Sequence, residues 1–233
     1  MPLLGDPESK IIKEYGVFNA EATGMQRGFA RPGYFFIDAK GIIREKFFEA
    51  TYRERLTGNS IVTKLFPELG QEVTDTFEAP HLQLALEQSD RTGVPGTRIT
   101  LAAAVRLPAE VHVYAPGAQG YKPIKLVIDP MPEMDLKPVI YPQAKTLFLP
   151  AVNERVPVFE GNFRISQDVK ISSGMDFAGS LGKDGKTFTI TGKLEYQACD
   201  QTKCYMPTSV PVKWQVQVFP LDRTRAPVEI RHK

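Results

Sequence analysis

Apolar positions change their rhythm along the chain. From Met1 to about Leu69 helix-like and strand-like stretches alternate, whereas from about Thr76 helical spacing disappears and short strand candidates follow one another between glycines and prolines. In the first stretch, Asp6-Pro7-Glu8-Ser9 combines an N-cap candidate with proline and an early acidic residue. It predicts a helix through Lys10 to Tyr15 that Gly16 ends. Gly33 to Asp38 predicts a buried strand, Ala39-Lys40-Gly41 a tight turn, and Ile42 to Phe48 the antiparallel return. A second helix is predicted over Asn59 to Phe66, stopped by Pro67.

The second stretch predicts strands at Leu82–Gln88, Arg98–Val105, Val111–Ala115, Lys125–Asp129, Thr146–Leu149, Val156–Ser166, Val169–Ser172, Thr187–Tyr196 and Val210–Phe219. Strands at that density argue for an antiparallel β-sandwich. The polar join near Glu68 to Thr76 divides the chain into a segment 1–68, a sandwich 76–220 and a polar tail 221–233.

Composition narrows the function. With 233 residues, 42% hydrophobic and 24% charged, the chain can bury a core without crosslinks. Its 29 basic and 27 acidic residues are interspersed and net +2, which argues against a nucleic-acid surface. No apolar run is long enough to span a membrane. Met1-Pro-Leu-Leu-Gly-Asp-Pro7 has neither the charged nor the apolar region of a secretory leader. The compartment is therefore cytoplasmic by default, and extracytoplasmic if the chain begins partway through a longer product.

Cys199 and Cys204 are the chain's two cysteines, in Tyr196-Gln-Ala-Cys199-Asp-Gln-Thr-Lys-Cys204-Tyr-Met-Pro207, between two predicted strands. That places them near a hairpin tip and opposite each other, at a separation a disulfide can bridge. Closing so small a ring is worth only about 2 kcal/mol, a weak reason for a structural staple. Four readings stay open: a redox pair, a local clamp, two inert thiols, or half of a metal site. The last is weakest, because none of His81, His112 and His232 lies at ligand spacing from the cysteines. No cofactor is implied. Tyr196, Tyr205 and Trp214 read as sandwich residues, His112 as a strand-surface histidine, and Asp176, Asp184 and Glu195 as solvated carboxylates.

The sandwich half resembles the N-terminal, immunoglobulin-like domain of thiol:disulfide interchange protein DsbD. The resemblance rests on Val111-His-Val-Tyr114-Ala-Pro-Gly117, Tyr121-Lys-Pro123, Val158-Phe159-Glu-Gly161 and Tyr196-Gln-Ala-Cys199 with Cys204-Tyr-Met-Pro207, over about residues 76–219. It implies a thiol-disulfide oxidoreductase module in which Cys199 and Cys204 form a reversible disulfide and relay electrons to or from a thioredoxin-like partner. It also implies a cap at Phe159, with Tyr196 and Tyr205 as candidate partner contacts. Four residues separate the cysteines here, where a well-known family member has five.

The first 66 residues resemble the C-terminal portion of a thioredoxin-like redoxin of the alkyl hydroperoxide reductase and thiol-specific antioxidant type. The residues concerned are Pro2 to Lys10, Tyr15-Gly16-Val17 and Arg31 to Arg44. This implies a partial thioredoxin-like α/β segment before the sandwich, lacking the family's catalytic cysteine and so any peroxidase chemistry of its own. Such a fragment would leave apolar faces at Tyr34–Ile37 and Ile42–Phe48 to be covered by the sandwich, a second copy, or a missing N-terminal redoxin half. The last is favoured, because Met1 falls inside the redoxin-like motif.

Two arguments disagree about which sulfur meets the partner. Lys203 favours a thiolate at Cys204 and Asp200 disfavours one at Cys199, whereas the family resemblance suggests that the first cysteine bonds the client. A static binding module and a redoxin-type antioxidant fragment are the competing functions.

Overall fold

The computed structural model of the chain describes residues 5–49, 54–67, 69, 72–150, 152–172 and 179–220. The predicted polar tail 221–233, Pro2 to Leu4 of the redoxin-like motif, Glu68, Gly70 and Gln71 of the join, and Asp176 lie outside them.

In chain order the elements are α1 (Lys10–Glu14), β1 (Gly33–Ile37), β2 (Ile43–Phe48), β3 (Arg55–Leu56), α2 (Gly58–Leu65), β4 (Glu72–Ala79) and β5 (Leu82–Gln88). They continue as β6 (Thr92–Gly93), β7 (Thr97–Arg106), β8 (His112–Tyr114), β9 (Lys125–Ile128), β10 (Met134–Ile140), β11 (Lys145–Leu149) and β12 (Glu154–Glu160). The last are β13 (Asn162–Ile171), β14 (Thr187–Tyr196), β15 (Ala198–Cys199) and β16 (Thr208–Val218).

One large sheet runs β10-β13-β7-β5-β4, with β3 added in parallel at the start of β7. Facing it are two smaller sheets, β11-β12-β8-β15 and β6-β16-β14-β9. Alternation explains the packing. Along β16 every second residue from Val210 to Val218 is buried, which sends Val212, Trp214 and Val216 inward against Leu84, Leu86, Ile99, Leu101 and Ile165 of the large sheet. Trp214 Nε1 donates to Glu87 O at 3.0 Å and Gln88 Nε2 donates to Gln215 O at 3.1 Å, so polar bonds also tie β16 to β5. Gly192 lies where β14 is flanked by β9 and β16, and a Cβ there would stand 2.4 Å from Val127 O. That close approach needs glycine.

One predicted strand divides in the fold, and some strands form where none is predicted. Val156 to Ser166, expected as one strand, is β12 and β13 broken at Gly161, whose φ of 64° is the left-handed conformation a reversal requires. The chain passes there from the sheet holding β8 to the sheet holding β7. The longer strands β4 and β10, like the two-residue β3, β6 and β15, are outside the sequence prediction. Glu72 to Ala79 is mostly polar, and Met134 to Ile140 carries Pro138.

The larger correction concerns the first 68 residues. The expected thioredoxin-like α/β segment is absent from the described residues, and the fold is an all-β sandwich with small N-terminal additions. The predicted hairpin is present as β1 and β2, but β1, expected as a buried strand, has no buried residue, and among the described strands these two pair only with each other. Helix α1 has five residues and no buried one, too little to cover a sheet. Helix α2 buries Ser60 and Thr63, two small polar residues, and therefore docks by hydrogen bonds.

That docking is extensive. Thr57 caps α2 by accepting from Ser60 N at 2.9 Å, and its hydroxyl donates to Asp90 at 2.6 Å. Ser60 Oγ donates to Arg98 O at 3.2 Å, and Lys64 Nζ reaches both oxygens of Asp168 at 2.9 and 2.7 Å. Beside α2 the outer face of β7 is also buried at Thr100 and Ala102, whereas Thr97, Ile99, Leu101, Ala103 and Val105 are buried on the core face along the whole strand. Next to it, Glu54 accepts from Arg98 at 2.8 Å and from Lys170 at 3.1 Å, while Glu49 takes Arg98 at 2.6 Å. Burial works to raise the Glu54 carboxyl, but bonds from Lys170 and Arg98 outweigh it and hold it below its ordinary value. The local signals for a hairpin and a helix are correct. Their assembly is decided by polar contacts with the sandwich that no periodicity encodes.

Candidate functional site

The long hairpin β14–β16 stays in register from Thr187↔Gln217 to Tyr196↔Thr208. At Gln197 the chain leaves this sheet, and Ala198 and Cys199 pair instead with Val113 and His112 of β8. Beyond Cys199 it turns back, with Asp200 N donating to Lys203 O at 2.9 Å, and Cys204 meets Cys199 as an antiparallel bridge. The two cysteines form a disulfide with their Cα atoms 4.0 Å apart.

One carboxylate shapes the turn. Asp200 Oδ1 accepts from Thr202 N at 2.7 Å, Lys203 N at 2.9 Å and Thr202 Oγ1 at 2.7 Å, and Oδ2 accepts the Tyr205 hydroxyl at 2.6 Å. The Tyr205 bond and the others to Thr202 and Lys203 hold Asp200 far below the usual carboxylate range. The same bond to Asp200 pushes the Tyr205 phenol up. Tyr205 is fixed on further sides, its ring stacked on His81 at 3.6 Å between centroids, its N–H on Ala198 O at 2.8 Å, its carbonyl accepting from Gln197 at 2.9 Å.

The two sulfurs occupy unlike surroundings. Cys199 is buried, 1% exposed, in a small apolar cluster with Tyr114, Val156 and Val158, whereas Cys204 is exposed. Met206, two residues on, is 83% exposed, so Cys204 has an uncovered apolar side chain close by in the chain. The Tyr114 hydroxyl lies 3.5 Å from Cys204 Sγ and 3.7 Å from Cys199 Sγ. Neither sulfur of a disulfide carries a proton, so the hydroxyl is the donor. Burial, then the charge of Glu154, raises the Tyr114 phenol above its ordinary value and keeps it protonated. Its ring stacks on Tyr121 at 4.2 Å, and Tyr121 in turn donates to Glu154 at 2.9 Å.

Of the residues expected at the site, Cys199, Cys204 and Tyr205 come together. Tyr196 is buried at the end of β14, donating to Pro80 O at 2.7 Å, and burial pushes its phenol up to about 12. Phe159 stands in the main core between Tyr141 and Phe163, paired with Val113 and so on the face opposite Cys199. In this structure the side chain over the disulfide is Tyr114. His112, expected on a strand surface, is 6% exposed and directly opposite Cys199. The signal for both was the alternation of His112-Val113-Tyr114, which puts His112 and Tyr114 on one face. Nothing local connected that face to cysteines 85 and 90 residues downstream of Tyr114.

Residues 83–214 match the family described as thiol:disulfide interchange protein DsbD, N-terminal. No curated protein matches the chain significantly. Among solved structures, the N-terminal periplasmic domain of ScsB from Proteus mirabilis aligns at 13% identity and a TM-score of 0.43, over 62% of this chain and 51% of its own. The chain thus spans about half the length of that structure. The reduced N-terminal domain of Neisseria meningitidis DsbD aligns at 14% identity and a TM-score of 0.33, over 50% of this chain and 82% of its own. The family match begins at residue 83, and no redoxin relationship is shown for the first 68 residues.

Proposed function

The chain belongs to the family of the N-terminal domain of thiol:disulfide interchange protein DsbD, and from that premise we propose that Cys199 and Cys204 are a redox pair exchanging electrons with a thioredoxin-like dithiol protein. The observation that carries the reading is the asymmetry of the disulfide, which joins an exposed residue, Cys204, to a buried one, Cys199.

Thiol-disulfide exchange requires a thiolate to approach one sulfur while the other departs with the bonding electrons. Cys204 is the sulfur an incoming thiolate can reach. The partner's thiolate bonds to Cys204 Sγ, the Cys199–Cys204 bond breaks, and the electron pair goes to Cys199 Sγ. The partner's second thiol then attacks its own sulfur in the mixed disulfide and releases Cys204. The net change is one disulfide opened here and one closed in the partner, and the same path runs in reverse. Accessibility and Lys203 favour Cys204 over the alternative assignment to Cys199. The Tyr114 hydroxyl, in reach of both sulfurs, strengthens its bond as either becomes a thiolate. Met206, Tyr205 and Pro207 flank Cys204 as the surface a partner would meet.

Equilibration against glutathione buffers, read by alkylation and intact mass, tests the proposal. A reversible two-electron transition above about −300 mV supports exchange, and a bond that opens only under stronger reduction leaves a static clamp.

A further inference from the structure

Strand β8 lies between β12 and β15, so three residues form a row across three strands: Glu160, His112 and Cys199. Directly opposed residues of antiparallel strands project to the same face with Cβ atoms about 4.5–5.5 Å apart. The imidazole therefore sits beside the buried cysteine. It is more than nine-tenths buried, and its Nε2 has no hydrogen-bond partner among the described residues. Such an orphaned nitrogen costs free energy in the folded protein, and a redox or catalytic role is one reason a protein keeps it.

Opening the disulfide supplies one. We propose that His112 is the proton partner of Cys199: neutral while the disulfide is closed, it takes up a proton when the bond opens and pairs with the buried Cys199 thiolate. The inference rests on the redox reading of the same disulfide. The balance is simple. The attacking thiol loses its proton to water and bonds to Cys204, Cys199 receives the electron pair of the broken bond, and one proton from solvent ends on His112. The exposed Cys204 side is the route from solvent.

The surroundings fit this role. Burial is the main influence holding the imidazole below its ordinary range in the oxidised state, opposed by the charges of Glu160 and Asp200. Glu160 is drawn toward Lys145 of β11 at 3.1 Å, and Asp200 is occupied by its own turn, so neither donates or accepts at the imidazole. On its own strand, Tyr114 stands edge-on at 5.5 Å between ring centroids, and its hydroxyl points to the sulfurs. A full negative charge at Cys199 is the one large electrostatic change that opening the bond makes beside His112. Thiolates next to an imidazolium are stabilised strongly enough to persist at neutral pH.

The test is a pH titration of histidine 13Cε1 signals in the full chain, oxidised and after reduction with a phosphine. His81→Gln and His232→Gln identify the other two signals, so assignment does not depend on a His112 variant folding. The expected result is a His112 pKa at least one unit higher in the reduced protein, a tenfold gain in proton affinity. A second readout is thiolate absorbance at 240 nm, expected below pH 7 in the reduced protein and lost in His112→Gln. A His112 titration unchanged by reduction overturns the inference, even where glutathione exchange is reversible. A shifted His112 without a reversible glutathione equilibrium supports the pairing and overturns exchange instead.

Discussion

Cys204 Sγ lies 3.5 Å from the hydroxyl of Tyr114, a residue from a different sheet strand that also closes over Cys199. The hydroxyl can follow either sulfur as charge moves between them, while the Tyr114 ring and Val158 shield Cys199 from solvent. The surroundings of this disulfide are therefore built by β8 as much as by the hairpin that carries the cysteines.

The first consequence is unequal access. With Cys199→Ser, the remaining thiol at position 204 is exposed; with Cys204→Ser, the remaining thiol is buried. Alkylation with iodoacetamide at neutral pH is expected to be at least about tenfold faster in Cys199→Ser, because burial of Cys199 keeps the reagent from its sulfur whatever its thiolate fraction. Trapped mixed disulfides with a thioredoxin-like dithiol protein should follow the same order. Equal rates would remove the assignment of Cys204 as the attacked sulfur.

Tyr114→Phe preserves the stacked ring and removes only the donor. A hydroxyl bond to a thiolate is stronger than one to a disulfide sulfur, so its loss destabilises the reduced form more. At about 1 kcal/mol the reduction potential should fall by about 20 mV. An unchanged potential in a glutathione titration would mean that the hydroxyl does not discriminate between the two states.

Asp200 links pH to the turn. Its folded pKa is depressed, so its stabilising contribution is present above the unfolded value near 3.9 and is lost as pH falls through the folded value. Asp200→Asn should be less stable than the parent at pH 7. The gap between their thermal midpoints should begin to narrow below about pH 4 and continue narrowing with further acid. A gap that stayed constant with pH would show that the charge is not what holds the turn.

Lys64 tests the attachment of α2. Asp168 is buried with Lys64 and Thr100 as partners, the latter donating to Oδ1 at 2.9 Å. Lys64→Met leaves that carboxylate without its cation, and, discounted for the partial exposure of Lys64, should cost about 2–3 kcal/mol in urea denaturation. Lys64→Met combined with Asp168→Asn should recover part of this, because the buried charge is gone. No recovery would place the loss in packing rather than charge.

Much of the sandwich could be read directly. Leu82 to Gln88 and Thr187 to Tyr196 have the predicted limits, since alternation against one core is a period-two signal carried by each strand alone. The tight turn at Gly41, with φ 79°, and the stop of α2 before Pro67 were equally local. Where a strand is polar, as in Glu72 to Ala79, its membership depends on pairing with Leu82 to Gln88 and escapes such a reading.

By itself the sequence determined that Cys199 and Cys204 oppose each other across a short turn, because a six-residue ring between two alternating strands leaves them little else to do. The tertiary structure decided everything that separates the two sulfurs. Burial of one, exposure of the other, the hydroxyl of Tyr114 between them and the imidazole of His112 beside Cys199 all follow from β15 leaving its hairpin to pair with β8. Likewise only the assembled sheets decide that the first segment is a set of polar-docked additions rather than an α/β layer. Helix and hairpin propensities are properties of neighbours in sequence, whereas which face meets which is set by contacts between residues far apart in the chain.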